Sequence, residues 1–87
     1  MNQFVYVYVL RSQRDGRFYV GFTTDLRQRF AAHNAGRVES TRKRMPLELI
    51  YYEACRNQRD ATTREKYLKS SWGKRHLKGR LQNYLTG

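Results

Sequence analysis

Apolar and aromatic positions alternate with others from Phe4 to Arg11 and again from Arg17 to Phe22, and Val, Tyr and Phe supply the side chains that strands favour. Asp15-Gly16 lies between these runs and suits a two-residue type I′ turn, so the pair predicts a β-hairpin. With Asp15 and Gly16 as the turn, Arg14 faces Arg17, Leu10 lies opposite Gly21 and Ser12 opposite Tyr19. The period of two puts Tyr6, Tyr8, Leu10, Tyr19 and Gly21 on one face, and Val5, Val7, Val9, Phe18, Val20 and Phe22 on the other. Two tyrosines therefore converge with a glycine whose missing side chain suits a close backbone turn or room for a ligand.

The period then lengthens. Thr23-Thr24-Asp25 offers capping oxygens and Gly36 a stop, so Asp25 to Ala35 reads as a helix with Leu26, Phe30 and Ala31 as its apolar stripe. Arg29 and His33, four apart, lie along one edge of that stripe, and His33 sits near the carboxyl end, where a surface histidine would be stabilised by the helix dipole. Arg37 to Pro46 has no period and carries Arg37, Arg42, Lys43 and Arg44, a basic loop able to hold a phosphate backbone or remain solvated. Leu47 to Glu53 alternates weakly and reads as a third strand. A second helix runs from Arg59 or Asp60 to about Lys69, Ser70-Ser71-Trp72-Gly73 interrupts it, and a third runs from Lys74 to Leu85 on Leu77, Leu81, Tyr84 and Leu85. Apolar residues on both faces of the strands call for helices on both sides. The expected fold is α+β, a three-stranded antiparallel sheet flanked by about three helices in one domain over residues 1–87.

Charge narrows the partners. Lys and Arg number 18 against 7 Asp and Glu, a formal net charge of +11, so nucleic acid is the expected partner and binding should weaken with salt. A chain of 87 residues buries too little to enclose a deep cavity, so its site should be shallow. The single Cys55 excludes an intramolecular disulfide and a cysteine-cluster metal site and reads as a small structural thiol in a reducing compartment. No leader pattern opens the chain, and the apolar run Phe4 to Leu10 is too short for a bilayer; a cytoplasmic protein without a membrane partner is expected.

One carboxylate stands out. Ala61, Leu68 and Trp72 are spaced i, i+7 and i+11 along the second helix, and Glu65 completes their stripe at i+4. A buried charge costs several kcal/mol, on the order of 3 to 5 when its partner is missing, so Glu65 needs a cationic partner, a metal or a wet edge. Mg²⁺ can be held by one protein carboxylate together with substrate phosphate and water. No Gly-rich phosphate loop, paired catalytic carboxylates, zinc spacing or Ser-His-Asp order is present.

The residues so placed resemble the GIY-YIG nuclease family over nearly the whole chain. Tyr6-Val7-Tyr8 stands at the first motif, with Tyr6 in place of its glycine, and Tyr19-Val20-Gly21 is the second, the key tyrosines eleven apart. Arg29 follows Gly21 by eight, His33 follows by four more, and Glu65 in Arg64-Glu65-Lys66 resembles the family's metal-binding glutamate. Tyr19 to Leu26 and His33-Asn34-Ala35-Gly36 are similar to small single-domain members related to the amino-terminal domain of the excision-repair nuclease.

The resemblance implies phosphodiester hydrolysis with Mg²⁺ or Mn²⁺ on Glu65, and Tyr8, Tyr19, Arg29 and His33 as catalytic residues, with either tyrosine open as the base. Gly21, Arg42, Lys43 and Arg44 are the expected nucleic-acid contacts. DNA is favoured over RNA, cleavage is expected to be structure-selective in repair or recombination, and a protein partner could supply targeting. The alternative is a binding module that keeps the fold without turnover.

Overall fold

The structure is a computed structural model and describes residues 3–87. Its sheet has the order β2-β1-β3, with β1 (Val5–Ser12) paired antiparallel to both β2 (Phe18–Thr23) and β3 (Leu47–Cys55). The centre falls to β1 because no residue from Val5 to Leu10 is charged, so the strand tolerates burial on both faces. Val7, Tyr8, Val9 and Leu10 are all at most 1% exposed.

The hairpin forms, but its register differs from the expected one by two residues: Tyr8 pairs with Gly21 and Leu10 with Tyr19. The expected two-residue turn is a four-residue loop, 13–16, closed by the Ser12 N–H donating to the Arg17 carbonyl. Side chains hold it open at that length. Ser12 Oγ accepts from the N–H groups of Arg14 and Asp15, Asp15 Oδ1 accepts from the Arg17 N–H, and Gly16 takes φ 73°. A shift of two preserves the faces, so Tyr6, Tyr8, Leu10, Tyr19 and Gly21 remain together.

Strand β3 carries an irregularity opposite Val9/Leu10, where Leu49 pairs with Leu10 and Tyr51 with Val9. Ile50 is the extra residue. Leu47 and Leu49 pack on the Tyr8 side, whereas Ile50, Tyr51 and Cys55 pack on the valine side. This bulge accounts for the weak alternation in the sequence.

Two cores result. On the Tyr8 face, Leu10 and Leu47 pack with Tyr19, Leu26, Phe30, Met45 and Leu49 beneath α1 (Leu26–Asn34). On the other, the valines and Val20 meet Ala61 and Leu68 of α2 (Gln58–Lys69) and Leu77 of α3 (Ser71–Arg80). Helices thus cover both faces, as the two-sided apolar pattern requires. A short α4 (Gln82–Thr86) follows, giving four α-helices among the described residues where about three were expected, and the expected single last helix breaks at Leu81.

The expected stripe through Ala61, Glu65, Leu68 and Trp72 does not run unbroken. Ser70 ends α2 and caps α3, its Oγ accepting from the Gly73 N–H, and this reorients the chain so that Trp72 is 67% exposed. Helix α3 therefore begins at Ser71 rather than Lys74. Gly73 is buried in the corner, where a β-carbon would strike the Tyr67 carbonyl oxygen and Leu68 Cα. Leu77 keeps its buried place, whereas Tyr84 turns outward and donates to Glu48 Oε1 at 2.6 Å. In α1, Leu26 and Phe30 pack inward as expected, but Ala31 is exposed and His33, expected at the edge of that stripe, is buried.

Candidate active site

Tyr8 projects from the central strand toward β2, and the absence of a side chain at Gly21 makes room for its ring. A β-carbon on Gly21 would stand 2.6 Å from Tyr8 Oη and 2.7 Å from Cζ. The gap seen in the sequence is thus occupied by the phenol of the directly paired residue, and Gly21 shapes the tyrosine's position. Burial raises the Tyr8 pKa, the hydrogen bond from Arg29 opposes the rise, and the charges of Tyr19 and Glu65 add to it. Tyr8 is therefore a phenol, not a phenolate, at neutral pH.

Two residues of α1 reach that oxygen. Arg29 Nε donates to Tyr8 Oη at 3.4 Å, and His33 Nε2 lies 2.9 Å from the same atom. Their spacing of four puts both on one side of the helix. Asp25 starts the helix by accepting from the Gln28 N–H, and Asn34 ties down the far end, exchanging two 2.9 Å hydrogen bonds with the backbone of Leu47. The imidazole is held beside the sheet between these fixings.

His33 is fully buried, which sets aside the alternative of a solvent-exposed histidine stabilised by the helix dipole. Its Nδ1 lies 2.7 Å from Thr41 Oγ1, and that hydroxyl in turn reaches toward the Val38 carbonyl at 3.5 Å. With the Thr41 hydrogen directed to Val38, the threonine oxygen accepts from Nδ1–H, which leaves Nε2 as the acceptor for the Tyr8 hydroxyl. Arg29 donating to Tyr8 from its other side fits the same assignment. Desolvation, helped by the Arg29 charge, lowers the His33 pKa to about 4. The imidazole is neutral at pH 7, with its lone pair facing the phenol.

Tyr19 is half-buried, with its ring centroid 5.1 Å from that of His33 and 6.4 Å from that of Tyr8. The Arg29 pKa is raised, first by its hydrogen bond with Tyr8 and further by the proximity of Tyr19. The guanidinium stays charged. Tyr8, Tyr19, Arg29 and His33 are thus brought into one cluster.

Glu65 comes from α2, on the opposite side of the sheet, yet its charge still contributes to the rise at Tyr8. Its side chain is 16% exposed and Oε2 lies 3.1 Å from Lys69 Nζ. This is the cationic partner anticipated from sequence. The pair is one turn apart on one helix and its lysine is 54% exposed, so it contributes little to stability, about 0.3 to 0.5 kcal/mol, and does not by itself explain a carboxylate at this depth. The neighbouring Arg64 does brace the helix, forking onto Glu53 of β3 at 2.9 and 2.8 Å and holding that carboxyl below its ordinary pKa.

The basic loop divides. Val38 and Thr41 are buried, and Arg42–Arg44 form a short 3₁₀ turn. Arg42 and Lys43 are exposed, whereas Arg44 Nε lies 3.4 Å from Asp15 Oδ2 and the Ser12 hydroxyl donates to the Arg44 carbonyl at 2.6 Å, pinning the turn to the hairpin loop. Thr41 and Asn34 are the site residues that the sequence reading missed. For Thr41 the one signal is its spacing of three from Val38, a second β-branched residue within a charged loop; Asn34 stood in the His33-Asn34-Ala35-Gly36 run without a role.

Among the described residues no group of three or more His, Cys, Asp or Glu gathers to hold a metal. The cation site that fits these side chains is the single-carboxylate kind at Glu65, completed by substrate and water, which suits Mg²⁺ or Mn²⁺. No helix among the described residues is long and apolar enough to cross a membrane.

A family model described as the GIY-YIG catalytic domain matches residues 4–78. A UPF0213 protein of Streptococcus pneumoniae serotype 4 is 43% identical over 70 residues, covering 79% of this chain and 70% of its own. A UPF0213 protein of Pediococcus acidilactici is 43% identical over 76 residues, 84% of this chain and 76% of its own. Another, from Clostridium perfringens, is 43% identical over 65 residues, 74% of this chain and 69% of its own. No solved structure matches the chain significantly.

Proposed function

The chain belongs to the GIY-YIG catalytic domain family, which implies nuclease activity, and from that premise we propose that it is a divalent-metal-dependent endonuclease hydrolysing phosphodiester bonds in DNA. The observation that carries the reading is the hydrogen-bonded run from Arg29 through Tyr8 to His33 and Thr41.

Tyr8 is the general base in this proposal. Its phenol is protonated at rest, so it takes a proton from the attacking water as its own proton passes to His33 Nε2. The resulting hydroxide attacks phosphorus, the bond from phosphorus to the leaving oxygen breaks and that oxygen takes a proton from solvent, while His33 is left an imidazolium that gives up its proton between turnovers. The low pKa of His33 opposes that charge, and the anionic phosphate of bound substrate favours it. Arg29, already at the Tyr8 oxygen, is placed to face the phosphoryl oxygens with the rest of its planar guanidinium. Tyr19 orients water or phosphate from the neighbouring strand. Glu65 would hold Mg²⁺ or Mn²⁺, which supplies charge neutralisation at the leaving oxygen.

Arg42 and Lys43, exposed on the loop, are proposed phosphate contacts, with Arg44 bracing the turn that carries them. The proposal extends to structure-selective cleavage in repair or recombination, a cytoplasmic setting and a protein partner for targeting. A net charge of +11 supports tight but weakly discriminating contact with DNA. Incubation of supercoiled plasmid and single-stranded DNA with purified protein tests the reading: breakage with Mg²⁺ or Mn²⁺ and none with chelator supports it. Binding without breakage under either metal would replace it with the non-catalytic module.

A further inference from the structure

Two open clefts meet at the β2 edge. The first, about 230 Å³, is lined by Tyr19 together with Lys69 and Lys74; the second, about 640 Å³, is lined by Arg11, Arg17, Arg44, Lys74 and Lys78 and by one carboxylate, Asp15, which Arg44 faces. Phe18 and Lys74 line both, so the clefts adjoin across these two side chains. Lys69 is also the ion-pair partner of Glu65, which joins the groove to the candidate metal ligand.

The groove's cations fall into two kinds. Arg44 lies against Asp15, and Arg11 reaches the Gly16 carbonyl while its guanidinium covers the Tyr84 ring at 5.7 Å, so both build the wall. Arg17, Lys74 and Lys78 are exposed and form no ion pair among the described residues. Lys74 and Lys78 are one turn apart on α3 and line the same cleft. Lys74 also sits near the start of α3, whose first turn holds no acidic residue, and a cation there opposes the helix dipole. Helix stability does not account for it, whereas a phosphate ligand would.

We propose that the groove from Tyr19 past Lys69 and Lys74 to Arg17 and Lys78 carries the phosphate backbone of the nucleic-acid strand on one side of the scissile bond. The proposal rests on the nuclease reading for what lies at its Tyr19 end. It assigns the strand path to the β2–α3 side of the molecule, whereas the loop carrying Arg42 and Lys43 was the basic segment conspicuous in the sequence. Recognition is of phosphate, so the path is indifferent to base sequence.

The test is fluorescence anisotropy with a labelled single-stranded oligonucleotide of mixed sequence, in chelator so that nothing is cut, across a salt series. Two triple variants remove the same charge: Arg17→Gln, Lys74→Gln and Lys78→Gln in the groove, and Arg27→Gln, Arg59→Gln and Lys66→Gln elsewhere on the surface. The groove triple should bind about tenfold or more weakly at low salt, with the slope of log affinity against log salt shallower by about 2, at roughly 0.7 per single-strand phosphate contact. The distant triple should keep the wild-type slope. Equal behaviour of the two triples overturns the groove, because net charge alone would then explain binding. If the groove triple loses binding while wild-type protein cleaves nothing with metal, the groove stands and the nuclease reading fails; the converse pair of results separates them the other way.

Discussion

Thr41→Val removes one oxygen from a fully buried position while keeping nearly the same shape. Thr41 Oγ1 is the acceptor 2.7 Å from His33 Nδ1, and no other residue among those described hydrogen-bonds to Nδ1. Leaving that N–H unsatisfied costs about 1 to 3 kcal/mol; the 3.5 Å contact of the threonine hydroxyl with the Val38 carbonyl is too long to add much. The imidazole can only trade this penalty for another by moving its proton to Nε2, which takes the acceptor from the buried Tyr8 hydroxyl. It then faces the Tyr8 hydroxyl with a donor, and the proton path from Tyr8 closes. Either way the variant should lose about 1 to 3 kcal/mol in urea denaturation, and its single-turnover cleavage rate should fall by about 10² or more, the usual scale of general-base catalysis. Thr41→Ser restores the oxygen and should recover most of the rate, although loss of the methyl group costs about 1 kcal/mol of stability. Imidazole ¹⁵N shifts read the tautomer directly. Wild-type stability and rate in Thr41→Val, or a wild-type His33 protonated on Nε2, would refute the reasoning.

Gly21→Ala should destabilise the fold by about 1 to 3 kcal/mol and abolish most cleavage, since its methyl group would enter the space of a Tyr8 ring that is only 1% exposed; an unchanged melting temperature with full activity would show that the strand yields freely. Acid should weaken the protein in a defined window. The folded-state pKa of His33, about 4, lies below the ordinary value of 6.5, so the folded state binds fewer protons; its contribution is present above about pH 6.5 and lost as pH falls toward 4, at most about 3 kcal/mol. Urea midpoints measured from pH 7 to pH 4 should fall in wild type and much less in His33→Gln, and parallel curves would exclude His33 as the source.

The face assignments were legible because strand alternation is insensitive to a two-residue slip: the hairpin register was misplaced, yet Tyr8, Tyr19 and Gly21 stayed together. The loop length depended on Ser12 and Asp15 hydrogen-bonding their own backbone, a local competition that a dipeptide turn signal does not contain. Strand β3 looked weak because Ile50 inserts a bulge, after which odd and even positions exchange faces. Trp72 was grouped with Leu68 because helical spacing was carried across Ser70, where the helix in fact ends. Arg29, His33 and Glu65 were visible through motif spacing, but burial of His33 was not, since its Thr41 partner comes from a loop whose charges conceal two buried residues. Arg44 looked equivalent to Arg42 and Lys43 until the hairpin brought Asp15 to it.

The most direct test of the central claim is plasmid nicking by Glu65→Ala beside wild type, with DNA binding and thermal melting measured on the same preparations. Removing Glu65 sacrifices its pair with the exposed Lys69, worth about 0.3 to 0.5 kcal/mol, and relieves a largely buried carboxylate, so fold and binding should persist. The account predicts metal-dependent nicking by wild type and none by the variant. Nicking by Glu65→Ala at the wild-type rate would remove the carboxylate from the chemistry and contradict the account.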